Sequence, residues 1–267
     1  MSDLIDTAIR AARSGGEVLV ANWRNLPHGS VEEKKKNDFV TFADRESEER
    51  IVSTIRERFP QDAFLGEEGG AQKGRDPGSR VWIIDPLDGT SNFVSGFPFW
   101  CVSIAAREGS ELVAAAIWDP LHGEMYTAER GAGAWRNQTR LQVTGRPSLD
   151  GAFVATGFPF RSREKIDTYL ALFRAVFEHA RAIRRAGSAA LDLAHVAAGV
   201  FDGFFEFRLS PWDIAAGALL IQEAGGTLTD FDGGTGYLER GNVVAGSPGV
   251  VASILQVASG IVHEHSI

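Results

Sequence analysis

Carboxylates gather in this chain at four places where a strand ends or a helix begins: Gly66-Glu67-Glu68-Gly69, Asp85-Pro86-Leu87-Asp88-Gly89-Thr90, Trp212-Asp213, and Asp38 with Asp44 upstream. The second is the most informative. Asp85 follows the apolar run Val81-Trp82-Ile83-Ile84, Pro86 is expected to stop the strand ladder, and Asp88 stands three residues on at a tight turn. Gly89 lets the backbone come close to a ligand, and Thr90 can open a helix whose free N–H groups attract phosphate. Two carboxylates and the Leu87 carbonyl on one turn suit hard cations that take oxygen ligands. Taken alone, Asp85 and Asp88 would be turn caps and Thr90 an N-cap. Glu67 and Asp213 would then each need a separate structural reason. A phosphate monoester repels an attacking oxygen, and two cations can clamp it while lowering the pKa of a water. None of the six histidines lies in these segments, so the expected nucleophile is cation-activated water and not a side chain.

The elements that must position these groups follow from the apolar spacing. An amphipathic helix is expected over Met1–Arg24, carried by Leu4, Ile5, Ala8, Ala12, Leu19 and Trp23, and a second over Asp44–Arg58, with Ile51 and Ile55 at helical spacing. Strands are expected at Ala63–Leu65, Val81–Ile84, Phe99–Ala106, Leu112–Trp118, Glu124–Ala128 and Gly133–Arg136. Beyond Thr144-Gly145-Arg146-Pro147 the pattern alternates. It runs strand Phe153–Thr156, helix Ile166–Ala180, strand Ala182–Arg185, helix Ser188–Ala198, strand Phe201–Phe207 and helix Trp212–Ala224. Strands at Thr227–Thr229 and Val243–Ala245 and a helix over Gly249–Val262 follow. The class is layered α/β with mixed sheets, in two halves (1–145 and 146–267) packed as one unit, the first carrying most of the acids and the second Asp213. The stretch Val31–Asp44, polar with no apolar period, reads as a mobile connector.

With 267 residues, 44% of them hydrophobic, the chain can bury a sizeable core. Its 27 Lys+Arg against 35 Asp+Glu leave −8, which gives no electrostatic support for coating nucleic acid. Cys101 is the single cysteine and lies in an apolar run, as a small buried thiol does, which fits a cytoplasmic protein. No apolar run reaches membrane-spanning length. Arg161, Arg163 and Lys165, and Arg181, Arg184 and Arg185, read as solvated faces, the second group able to line a dimer or partner surface. Trp82, Trp100, Trp118 and Trp135 read as core or edge packing.

Taken with Gly66-Glu67-Glu68, the segments Asp85–Phe93 and Trp212–Gly217, followed by Glu223-Ala224-Gly225-Gly226, resemble the inositol monophosphatase family nearly end to end. Arg184–Leu193 looks particularly like its bacterial branch. The resemblance implies a layered αβαβα sandwich, a homodimer, magnesium as cofactor and inhibition by lithium. It implies that Glu67, Asp85 and the Leu87 carbonyl hold one magnesium, and that Asp85, Asp88 and Asp213 hold a second. It implies that Thr90 and Asp44 activate water, and that the N–H groups of Gly89 and Thr90 receive phosphate. Gly187, Ser188, Ala189 and Glu206 align with positions that contact inositol hydroxyls, Glu206 standing seven residues before Asp213. A lysine (Lys34 or Lys35) and Asp38 align with a loop that approaches the loaded site, Asp38 helping to hold a third cation. Ser91 and Ser95-Gly96 depart from the commoner residues of that motif.

Three readings stay open. The substrate implied first is myo-inositol monophosphate. Histidinol phosphate, fructose 1,6-bisphosphate or a 3′-phosphonucleotide would use the same metal residues. A reading of another class is a dimeric regulator that binds a macromolecule, hydrolysis being secondary.

Overall fold

The computed structural model describes residues 2–26, 31–35, 38–75, 78–160 and 162–262, with the backbone alone for 31–35 and 38–40. The first half opens with helix α1 (Asp3–Asn22), strands β1 (Val31–Lys35) and β2 (Asp38–Thr41) and helix α2 (Phe42–Arg58). Strands β3 (Ala63–Gly66), β4 (Gly70–Gln72) and β5 (Val81–Asp88) and the short helix α3 (Thr90–Ser95) follow. It ends with β6 (Cys101–Glu108), β7 (Glu111–Asp119), β8 (Glu124–Glu129), β9 (Gly133–Arg136) and β10 (Thr139–Arg140). The second half runs β11 (Phe153–Thr156), α4 (Ile166–Phe177), β12 (Ala182–Arg184), α5 (Ala189–Ala197), β13 (Gly203–Glu206) and α6 (Pro211–Glu223). It closes with β14 (Thr227–Thr229), α7 (Tyr237–Arg240), β15 (Val243–Gly246) and α8 (Pro248–Ala258).

Strands β10-β9-β8-β7-β6-β5-β3-β4 form one sheet and β12-β11-β13-β15-β14 another. Both are mixed, since β3 runs parallel to β5 and β11 parallel to β12 and β13, while the other pairs are antiparallel. Helices α1 and α2 cover the outer face of the larger sheet, burying Leu19, Ile51 and Ile55 with Trp82 and Trp100. Helices α5 and α6 lie between the sheets, where Leu191, Ile214 and Leu220 meet Ile83, Ile117 and Phe204. Helices α4 and α8 cover the far face of the smaller sheet through Tyr169, Leu172, Val250 and Ile254. The order is therefore helix, sheet, helix, sheet, helix, the αβαβα sandwich that the resemblance implied.

Two expectations need correction. Strand β5 does not stop at Pro86 but continues to Asp88, and the register slips between Asp85 (opposite Ser103) and Asp88 (opposite Cys101). Three residues on one strand thus span two on its neighbour. In a regular strand, side chains three apart point to opposite faces; the bulge re-aims them. The stretch 31–41 is not an irregular connector either. Its backbone pairs as a hairpin, Val31 opposite Thr41 and Glu33 opposite Phe39. Ladder hydrogen bonds need no apolar alternation, and Phe39-Val40-Thr41 has strand propensity. The side chains of Lys34, Lys35 and Asp38 lie outside the described residues, as do Lys36, Asn37 and Arg161 entirely.

Candidate active site

Each acid arrives by its own local device. The bulge in β5 delivers Asp85 and Asp88. Asp213 is the third residue of α6, where Pro211 fits the first helical position and Asp213 Oδ2 accepts from the N-capping Ser210 N–H at 2.7 Å. Ser103 Oγ on β6 donates to the Trp212 carbonyl at 3.3 Å, tying that helix start to the sheet. The outcome is that Asp85, Asp88 and Asp213, 1%, 9% and 5% exposed, bring oxygens within 4.8 Å of one another.

Three buried carboxylates at that distance repel. Asp85 is pushed well above its ordinary value, first by burial and then by the charges of Glu67, Asp88 and Asp213, with only the Leu87 N–H opposing. A folded chain does not assemble such a cluster for stability alone. Its donors are all hard oxygens, which fits magnesium, so the residues present suit the cofactor the resemblance implied.

These acids line a cavity of about 180 Å³. Glu67, Leu87, Gly89 and Thr90 line it from the first half, and Gly187, Ser188, Ala189 and Glu206 from the second. Asp88 joins the two, because its Oδ2 accepts from Ser188 Oγ at 2.7 Å and from the Ala190 N–H at 2.6 Å at the start of α5. Gly89 adopts φ +102°, and a Cβ there would lie 3.0 Å from the Phe99 carbonyl, so only glycine fits. Cys101 is buried as expected, its Sγ 3.7 Å from Ser188 Oγ.

Asp44 does two things at once. It completes a capping box on α2, accepting from the Thr41 N–H at 3.0 Å and Thr41 Oγ1 at 2.6 Å, while its Oδ1 accepts from Thr90 Oγ1 at 3.2 Å. That geometry suits a cap of α2 and the water-activating role that the resemblance implied alike. Burial outweighs these hydrogen bonds and holds the Asp44 carboxyl at about 6. The Leu87 carbonyl, also 3.2 Å from Thr90 Oγ1, is the alternative acceptor for that hydroxyl's single proton.

Several site residues were missed from sequence. Glu48, 4% exposed, accepts the Glu68 N–H at 2.9 Å and the Gly69 N–H at 2.7 Å, fixing the turn that carries Glu67. The signal was an acid on the apolar side of α2, one turn after Asp44. Asn92 Nδ2 donates to the carbonyls of Phe99 and Ala186 at 2.7 and 2.9 Å and so spans both halves. Arg185 is exposed but does not belong to a merely solvated face. It lines the cavity, its guanidinium 5.9 and 5.2 Å from the rings of Phe158 and Phe160. Arg181 and Arg184 instead stack on Phe153. Asp192, buried in the first turn of α5, completes the list.

The description of the inositol monophosphatase family matches residues 1–262. A protein of Pseudomonas aeruginosa named Nus factor SuhB is 49% identical over 250 residues, 92% of each chain. The extragenic suppressor protein suhB of Bartonella henselae has a crystal structure similar to this chain at TM-score 0.92 and 39% identity, over 96% of this chain and 98% of that one. An inositol monophosphatase from Anabaena is similar at TM-score 0.86 and 34% identity, over 99% of this chain and 98% of its own. Among the described residues no helix is long and apolar enough to cross a membrane.

Proposed function

The chain belongs to the inositol monophosphatase family, and from that premise we propose that it is a magnesium-dependent phosphatase of small phosphate monoesters, myo-inositol monophosphate first among them. The observation that carries the reading is the convergence of buried Asp85, Asp88 and Asp213 within 4.8 Å beside a cavity. Glu67, Asp85 and the Leu87 carbonyl would hold one magnesium and Asp85, Asp88 and Asp213 a second; the cations supply charge neutralisation of the phosphate and acidify a water.

The chain's own residues do the rest. Thr90 Oγ1 donates its hydrogen bond to Asp44 at 3.2 Å, which leaves an oxygen lone pair to accept from the attacking water and orient it. Because Asp44 is locked by Thr41, that orientation is set before substrate arrives. The N–H groups of Gly89 and Thr90 would receive phosphate oxygens. Gly187, Ser188, Ala189 and Glu206 would face the leaving alcohol, with Glu206 accepting from its hydroxyls. Lithium sensitivity and a homodimer belong to the same reading. A panel of inositol monophosphate, histidinol phosphate, fructose 1,6-bisphosphate and a 3′-phosphonucleotide tests it. The highest kcat/KM is expected for the inositol ester, and a preference of tenfold or more for another substrate would replace it.

A second reading has its own support. The Pseudomonas relative carries the name Nus factor, which states no hydrolysis and fits a regulator that binds a macromolecule. On this chain Ile166, Leu170 and Phe177 form an exposed apolar stripe at helical spacing along α4. Capture of the same partner from a lysate by the wild type and by an Asp88→Asn/Asp213→Asn variant would separate binding from hydrolysis. No partner for either would remove this reading.

A further inference from the structure

Helix α5 is apolar along Ala189–Ala197 except at Asp192 and His195, and Asp192 is 2% exposed. Its Oδ1 has no hydrogen-bond partner among the described residues. A buried carboxyl oxygen without a donor is costly, so an acid kept at such a position calls for a reason beyond stability. Asp192 lines the same cavity as Asp88, Asp213 and Glu206. After burial, Glu206 is the group that most hinders its ionisation, followed by Asp88, while Arg185 at the cavity wall favours it. Asp192 and Glu206 are thus close enough to feel each other. They come from different elements, the first turn of α5 and the end of β13.

Gly157 gives a further constraint. A Cβ there would run into the Glu206 carboxylate, so the chain leaves room for that acid against the backbone after β11. Arg185, also in the cavity lining, is braced over Phe158 and Phe160, whose rings meet edge to face at 5.9 Å. Besides the metal-type acids, the cavity lining therefore offers two carboxyl groups and one guanidinium.

We infer that Asp192 is a specificity-determining residue which, with Glu206, reads two hydroxyl groups on the leaving alcohol and so selects polyol phosphates. Ionised or protonated, a carboxyl keeps an oxygen able to accept from a hydroxyl. A polyol offers hydroxyl donors to the carboxyl where it lines the cavity, and an aryl leaving group has none to give. The inference deepens the phosphatase reading and rests on it.

The test compares kcat/KM for myo-inositol 1-phosphate and p-nitrophenyl phosphate in magnesium, for the wild type, Asp192→Asn and Asp192→Ala. The ratio of the two values, inositol ester over aryl ester, should fall at least tenfold in Asp192→Ala, mainly through KM for the inositol ester. It should fall less in Asp192→Asn, whose amide oxygen still accepts. Asp192→Asn should melt no lower than the wild type, since it removes an acid that Glu206 and Asp88 crowd. An unchanged ratio in both variants, or equal losses on both esters with a lower melting temperature, would make Asp192 structural and overturn the inference. A wild type that hydrolyses the aryl ester alone would also overturn it. A wild type that hydrolyses neither would overturn the phosphatase reading itself.

Discussion

Substituting Asp44 by asparagine removes a negative charge from a position 1% exposed. Burial, more than the opposing hydrogen bonds from Thr41 and Thr90, lifts this carboxyl from 3.8 to about 6, and Glu68 adds to the rise. At 1.36 kcal/mol per pH unit, the folded state disfavours the ionised form by about 3 kcal/mol. The sign follows from proton counting. The folded chain holds this proton more tightly than the unfolded chain, so stability falls as pH rises from about 4 to about 6, and the penalty is complete above that window. Asparagine carries no such penalty. The stability advantage of Asp44→Asn over wild type, from urea unfolding in EDTA, should therefore grow by about 3 kcal/mol between about pH 3.5 and pH 7. Activity should move the other way. Asp44 Oδ2 accepts two bonds from Thr41, so the amide oxygen would occupy that position and the amide nitrogen would face Thr90. Thr90 would then accept instead of donate and would turn its proton to the Leu87 carbonyl. A loss of kcat of about 100-fold is expected for a misdirected proton-handling group. A stability difference that stays flat with pH would refute the burial account, and kcat within twofold of wild type would reduce Asp44 to a cap of α2.

Magnesium should raise the melting temperature by relieving the repulsion that Glu67, Asp88 and Asp213 exert on Asp85, worth about 2.7 kcal/mol at a hundredfold excess over Kd; thermal melts that ignore magnesium would count against a cation site here. Thr90→Ala should lower kcat far more than it raises KM, because alanine keeps the backbone N–H; steady-state kinetics showing a steep rise of KM alone would make Thr90 a binding residue. Gly157→Ala should displace Glu206 and lower the inositol-to-aryl ratio of kcat/KM as Glu206→Ala does, by roughly tenfold. A ratio unchanged in Gly157→Ala would show that Glu206 can move without consequence. Glu48→Ala leaves the Glu68 and Gly69 N–H groups without their acceptor and should cost about 1–3 kcal/mol in urea unfolding, with weaker magnesium binding by calorimetry. Unaltered magnesium affinity would detach Glu48 from the positioning of Glu67.

Much of the site could be read in the sequence because its motifs are local. Asp85 to Thr90 is one six-residue segment, and Trp212-Asp213 follows a proline that marks a helix start. The apolar periods of α1 and α2, which each bury one face, and the near-continuous apolar runs of α5 and α6, buried almost all round between the sheets, located the helices to within a few residues. What was hidden depends on contacts between distant segments. The continuation of β5 past Pro86 needs the pairing of Asp88 with Cys101 on β6, which no local rule predicts. Glu48 matters only because the turn at Glu68 and Gly69, about twenty residues on, offers it two donors. Arg185 resembles any surface arginine until Phe158 and Phe160 come to lie under it. Asp192 was visible as an acid in an apolar helix, but its empty valence appears only when the cavity closes around it.

The central claim is that Asp85, Asp88 and Asp213 form a metal-dependent hydrolytic centre. The most direct measurement is steady-state phosphate release from myo-inositol 1-phosphate in EDTA and in magnesium, for the wild type and for Asp213→Asn. Wild type should be silent in EDTA and restored by magnesium. Asp213→Asn, folded by circular dichroism, should remain about 1000-fold slower at saturating magnesium, equivalent to about 4 kcal/mol of barrier. Equal turnover in EDTA and magnesium, or an Asp213→Asn rate within a few-fold of wild type, would contradict it.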